Sequence, residues 1–227
     1  MLAGSALITA SSLSYFDFET LPPFVIEKLP LRFEALWLFS LRVHVASAAL
    51  AFPLCLALST RVLQRHRRVH RWLGRVAGVL VLGVLVPSGA VLAFDAKGGS
   101  GVTVGFLLSG AIVAWGIVSG VLSARRRDLV AHRRAMSHVV AQMSVAVVSR
   151  AMIVGFDALG MEPELAYALA LWLPVVASAA AVELVTFRHS LFDNPLLQRL
   201  QRIRREIAQP VLVRSRAVAR PFPRLGR

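Results

Sequence analysis

The sequence predicts an all-α fold, a multi-pass membrane helical bundle. Five transmembrane helices, a four-helix core plus one, follow an interfacial N-terminal arm and precede a basic amphipathic C-terminal helix. Three observations predict it. Five windows of about 20 residues carry few or no charges, long enough to cross a hydrocarbon core. Of the 227 residues 56% are hydrophobic, with a mean hydropathy of +0.65, whereas a soluble domain has roughly 45–50% apolar residues. The net charge of +14 is concentrated between the windows and in the tail, where membrane proteins keep it. Residues 1–34 form the arm, 35–187 the bundle and 188–227 the tail.

The arm alternates acidic and bulky apolar residues from Phe16-Asp17-Phe18-Glu19 through Pro22, Pro23 and Pro30. That pattern suits a segment lying at the interface. Leu2–Leu13 has no cationic start, which argues against a cleaved signal peptide. The first span covers about Ala35 to Ser59, with Arg42 and His44 in its first part and Pro53 as a candidate kink. A loop with six arginines and no acid follows, and the second span runs from about Trp72 to Phe94. Its Gly74 and Gly78, four apart, offer a small face for close helix approach. Pro87 and Gly89 predict a bend near its far end.

The third span, about Val102 to Ala124, repeats the glycine spacing at Gly116 and Gly120. The fourth, about Ala135 to Phe156, holds His138, Gln142 and Arg150; the fifth, about Leu165 to Phe187, holds Pro174 and Glu183. In the tail Leu196, Leu197, Leu200, Ile203 and Ile207 recur at helical spacing, with Arg199, Arg202 and Arg205 elsewhere on the wheel. This is a basic amphipathic helix suited to a membrane surface.

Twenty-one of the 26 basic residues are arginines of the 59–75 loop, the 124–134 loop and the tail. The positive-inside rule places these in the cytoplasm, with an outside N-terminus, a cytoplasmic C-terminus and a location in the bacterial cytoplasmic (inner) membrane. Anionic lipid headgroups are the expected counter-charge, and the placement of charge beside apolar spans argues against nucleic acid as a partner. The single cysteine, Cys55, lies inside a span and can form no intramolecular disulfide. Glycine-rich phosphate loops, nucleophile elbows, His-Glu-x-x-His and Cys-x-x-Cys are missing from the sequence.

Ionisable residues within a span are costly and are paired or functional. They fall in two layers. Toward the outer side lie Arg42, His44 and Arg150, a set that would seek a propionate, a quinone oxygen or a lipid phosphate. The alternative is that Arg42 pairs with Glu34 and Arg150 with Asp157, while His44 bonds a neighbouring helix. Toward the inner side lie His66, His70, His132, His138, Glu183 and His189. Facing histidines are how helical bundles hold b-type haem, and His70 with His132 are also candidate metal ligands. The alternative for each is a solvated or phosphate-bound interfacial histidine. His44 lies about 20 Å from the inner pair at ~1.5 Å per residue, so it cannot share an iron with them.

At His70-Arg71-Trp72-Leu73-Gly74-Arg75 and His132-Arg133-Arg134-Ala135-Met136 the chain resembles the bacterial predicted membrane proteins grouped as domain of unknown function 2306. That family's pattern has a histidine in an early span, here His44, then His-Arg-x-x-Gly-Arg and His-Arg-x-x-Met opening later spans. An arginine deep in the last of these corresponds to Arg150. The resemblance covers roughly residues 36 to 156, and Ala135 departs from it where a tryptophan is expected. It implies a multi-pass fold with a polar core built from those residues and no assigned activity. The layout is similar to small b-type cytochromes and to haem-linked respiratory assembly factors.

Two functions compete. In one, the cofactor-binding set Arg42, His44, His70, His132, His138 and Arg150 holds haem b in a redox or respiratory role. In the other, the protein is a non-enzymatic assembly factor or a lipid-binding or partner-binding subunit, docking through its arm and tail. Five spans give no clear inverted repeat, which weakens a transporter reading.

Overall fold

The computed structural model describes Phe16, residues 23–26, 28, 31 and 33–192, with 23, 24 and the last four by backbone alone. Every regular element among these is helical, and five helices are long and apolar enough to cross a membrane. They are α1 (Glu34–Leu58), α3 (Arg67–Phe94), α4 (Gly99–Arg125), α5 (Leu129–Ala158) and α6 (Pro163–Phe192), with a short α2 (Arg61–Arg65) between the first two. The chain divides into two units, Met1–Val182 and Glu183–Arg227. The bundle described here is the first. The predicted tail helix, and most of the N-terminal arm, lie outside the described residues.

Short connections force consecutive helices antiparallel. Helices α1, α3, α4 and α5 close a ring in which α4 and α5 share the most extensive seam, and α1 touches both α3 and α5. One apolar core joins these four through Ala51, Cys55, Ala77, Val81, Val113, Ile117 and Val139. Helix α6 packs on α4 and α5 through Leu171 and Val175 against Val102 and Val145. The arrangement is the four-helix core with a fifth helix beside it. Many large apolar side chains, such as Val79, Val154 and Val176, face outward, as expected where the surrounding solvent is hydrocarbon rather than water.

The arginine-rich connection between α1 and α3 is itself mostly helical. Thr60 caps α2 by accepting from Leu63 N, and α3 starts at Arg67 rather than near Trp72. Arginine is a good helix former, and Arg67, Arg68, Arg71 and Arg75 all stand on the exposed side. At the other end, the turn Pro23–Ile26 packs Val25 against Trp37 and Leu41. Lys28 beside it lies over the Trp37 ring and donates to the Asp95 carbonyl. Burial outweighs the nearby Asp95 carboxylate and holds the Lys28 ammonium below its ordinary pKa.

Pro53 and Pro174 sit inside helices that continue past them. Pro87 does not go unmarked. Its missing N–H and its clash with the carbonyl four residues back disturb the α pattern, and α3 runs as a π-turn over Val81–Leu85 just before it.

Candidate functional site

Two groups of polar residues lie inside the bundle, one in each half. The first is built on the π-turn. There the carbonyl of Leu85 accepts from the Ser88 hydroxyl at 3.1 Å and lies 3.1 Å from Nδ1 of His44 on α1. A carbonyl only accepts, so the Nδ1 that meets it carries the proton. Nδ1 also lies 3.3 Å from the Ser88 hydroxyl. The remaining nitrogen, Nε2, is then the one with a lone pair, and no hydrogen bond ties it up among the described residues. The ring reaches α3 because position 89 is glycine: a Cβ there would stand 2.9 Å from His44 Cε1.

Arg150 of α5 is the other cation of this half of the bundle, within electrostatic range of His44 and of Tyr167 on α6. Its Nη1 donates to the Ala146 carbonyl of its own helix at 3.0 Å. That carbonyl is one turn toward the middle of the span, and both Ala146 and Arg150 are exposed. No carboxylate pairs with it among the described residues, and the alternative of an Arg150–Asp157 pair is not realised. Arg42 is elsewhere. Two residues from His44 on one helix is more than half a turn around it, and Arg42 lines a separate apolar groove with Phe16, Phe39 and Ala46. Arg42 and His44 therefore stand on different sides of α1.

The second group lies at the arginine-rich end. His132 Nδ1 is 2.8 Å from the Gly120 carbonyl of α4, so this histidine too carries its proton on Nδ1 and leaves Nε2 as the basic nitrogen. His70 is half-buried on the first turns of α3, within electrostatic reach of His132. Its Nδ1 is buried with no hydrogen-bond partner among the described residues. His66 is exposed and serves as the junction between α2 and α3. The side chain of His189 lies outside the described residues.

His138 is deeper and nearly fully buried, with its ring edge-on to Trp115 at 5.8 Å between centroids. It stands apart from His132 around the helix, as their six-residue separation requires. One turn beyond it, Gln142 ties three helices together. Its Oε1 accepts from Ser109 of α4 at 3.0 Å, and its Nε2 donates to Val175 O and Ser178 Oγ of α6 at 3.0 and 3.1 Å. Among the described residues no three His, Cys, Asp or Glu side chains converge as a metal cage would require.

Sequence reasoning missed Ser88, Gly89 and Tyr167. The run Pro87-Ser88-Gly89 was visible as a bend, but the ring that fills it comes from another helix. The seat of His132 beside Gly120 follows from the α4–α5 seam. There, a Cβ at Gly116 would meet the Ala135 carbonyl at 3.0 Å and Val139 Cγ2 at 2.7 Å. The Gly74–Gly78 pair is different: a Cβ at Gly74 would meet nothing within 4 Å, and one at Gly78 only Ile117 at 3.7 Å. Of the two glycine pairs, close helix approach uses the one on α4.

Residues 41–186 match the family model described as predicted membrane protein, DUF2306, and the chain belongs to that family. The matched region contains both histidine groups. No curated protein and no solved structure matches the chain.

Proposed function

We propose that this DUF2306 membrane protein is a cofactor-binding protein of the bacterial cytoplasmic membrane, holding b-type haem through His70 and His132 in an electron-transfer role. The observation that carries the reading is the hydrogen bond from His132 Nδ1 to the Gly120 carbonyl. A ligating histidine almost always gives its second N–H to a carbonyl or carboxylate, which fixes the tautomer and presents Nε2. His70, half-buried at the same end of the bundle and with an Nδ1 that has no hydrogen-bond partner among the described residues, would supply the second imidazole. Haem needs only two axial ligands, whereas a structural zinc needs four; with no third or fourth ligand gathered among the described residues, the pair suits haem better than a bare ion. Arg71 and Arg133, next in sequence to the two histidines and exposed, would meet the propionates. Bound haem would supply one-electron chemistry; the chain would set the ligand tautomers and the apolar surround.

In this reading the arginine-rich loops face the cytoplasm and anionic lipid headgroups, with the N-terminus outside. The competing reading, a partner-binding or lipid-binding subunit with structural histidines, draws on the same hydrogen bonds. His44 to Leu85 and His132 to Gly120 each join two helices, as interhelical polar contacts in membranes do.

The visible spectrum separates the two. Protein purified in mild detergent from haem-replete cells should show a Soret band, with sharpened α and β bands after dithionite, both lost in His70→Ala and in His132→Ala. A colourless protein overturns the haem assignment and leaves the subunit reading in front.

A further inference from the structure

The groove beside Arg42 lies on the side of α1 turned away from the bundle core and is independent of any haem at the arginine-rich end. We infer that it is a site for one membrane phospholipid, with an acyl chain along the groove and the phosphodiester on the Arg42 guanidinium.

Three features point there. The first is shape and position. Ala35, Leu38, Phe39, Arg42, Val43 and Ala46 line the groove, and their spacings of three and four put them on one face of α1. The core positions Trp37, Leu41, Ala51 and Cys55 stand on the opposite face. Phe16 of the arm lines the same groove, so one wall comes from outside the helix. Its volume of about 560 Å³ falls within the ~300–1,000 Å³ of ordinary ligand sites. A groove on the outward side of a spanning helix is filled by lipid or by another span.

The second feature is the charge pattern, which chooses between those two. Arg42 is the one ionisable residue among the described lining residues, and the others are apolar. That pattern matches a ligand with a long apolar body and a single anionic group. A partner helix would have to carry a carboxylate into the span to complement Arg42, which is costly. A phospholipid brings its own charge. Guanidinium has five N–H donors in a flat fork, enough to meet a phosphate through two nitrogens and a protein group as well.

The third feature is depth. The 25 residues of α1 make about 37 Å of helix against ~30 Å of hydrocarbon. Arg42 lies eight residues past Glu34, the first of α1, about 12 Å along it. In a centred helix its Cα stands roughly 8 Å inside the hydrocarbon. Side chains lean toward the N-terminus of their helix, here the nearer membrane surface, and arginine snorkels that way. The guanidinium so approaches the level of that leaflet's phosphates. Val43 and Ala46 continue the groove toward the bilayer centre, as an acyl chain runs. A lipid held there would pack between Phe16 and α1 and join the arm to the bundle.

The test is photocrosslinking of phosphatidylglycerol, with a diazirine in its acyl chain, to the full-length delipidated protein in dodecylmaltoside micelles. Peptide mass spectrometry maps the adducts. Adducts on residues 35–46 should saturate at one lipid. Unlabelled phosphatidylglycerol and phosphatidylcholine, which share the phosphodiester, should compete, and diacylglycerol with the same chains about tenfold more weakly. Arg42→Gln should weaken binding about tenfold, and Arg42→Lys should restore most of it. Ala46→Phe, which fills the groove and leaves the charge, should remove these adducts while those on the outward face of α4 near Val104 and Leu108 persist. His70→Ala should change nothing. Adducts on 35–46 no denser than on that face of α4 overturn the inference. So does equal competition by diacylglycerol, or crosslinking that survives both Arg42→Gln and Ala46→Phe. Displacement by oleate at lower concentration than by phosphatidylglycerol overturns the phosphodiester and assigns the groove to a free fatty acid.

Discussion

His44 and Gly89 fit one another across the α1–α3 interface: the imidazole occupies the space that any side chain at position 89 would need, with Cε1 2.9 Å from where a Cβ would stand. The contact makes a specific thermodynamic prediction. Gly89→Ala should cost about 1–3 kcal/mol, the usual range for overpacking a filled interface. A helical glycine exchanged for alanine should otherwise gain stability, so the sign itself is informative. The double-mutant cycle with His44→Ala checks it. Once the ring is gone, Gly89→Ala should cost nothing. Equal costs in both backgrounds, measured by reversible unfolding in mixed micelles, would show that the two residues do not compete for that space.

Gly116, Gly120 and Gly74 should rank in that order when each is changed to alanine. At Gly116 the new methyl meets the backbone carbonyl of Ala135 at 3.0 Å, and backbone in a packed seam cannot yield; a loss of about 1–3 kcal/mol is expected. At Gly120 the first obstacle is the terminal methyl of Met136, a flexible group that can swing away, so the loss should be smaller. Gly74 has open space, and its replacement should be neutral or stabilising by up to ~1 kcal/mol. A destabilised Gly74→Ala protein would contradict the packing described for α3.

Gln142 should contribute measurably to the attachment of α6. It accepts one hydrogen bond from α4 and donates two to α6 while itself 2% exposed. Hydrogen bonds between membrane helices average ~0.6 kcal/mol and reach ~1.7. Three should therefore make Gln142→Leu, a change of similar volume, about 1–3 kcal/mol less stable. Proteolysis of the α5–α6 connection, near Leu159–Glu162, should accelerate in parallel. No change in either would mean that Ser109 and Ser178 find equal partners within their own helices.

The fold was legible in the sequence because the bilayer imposes it. An apolar run of about 20 residues must satisfy its backbone internally, and a helix does so. The start of α3 at Arg67 was not legible, since charge suggested a loop while arginine propagates a helix well. The polar groups were legible as residues but not as pairings. Arg42 and Arg150 look equivalent at one depth, yet helix rotation turns Arg42 away from His44 into a separate groove, and Arg150 bonds the backbone of its own helix. The partners of His44 and His132 are backbone carbonyls, which no pattern of side chains reveals. Equal glycine spacings on α3 and α4 likewise hide which pair faces a neighbour.

The α5–α6 turn carries a pH dependence with a definite sign. Glu162 precedes α6, and its carboxylate accepts from Glu164 N at 2.9 Å and Leu165 N at 2.7 Å. These are first-turn amides that the helix itself cannot satisfy. The bonds favour the ionised form, so the pKa falls below its ordinary 4.5. A carboxyl group depressed in the folded state stabilises above its unfolded pKa, and the benefit disappears as pH falls through the folded value. Glu162→Gln should therefore be less stable than the parent at pH 7. The difference should hold down to about pH 5 and close below pH 4.5, as both proteins come to carry a neutral side chain there. Unfolding curves recorded at each pH read it directly. A gap that persists unchanged at pH 3 would assign the effect to side-chain shape instead of to the charge on Glu162.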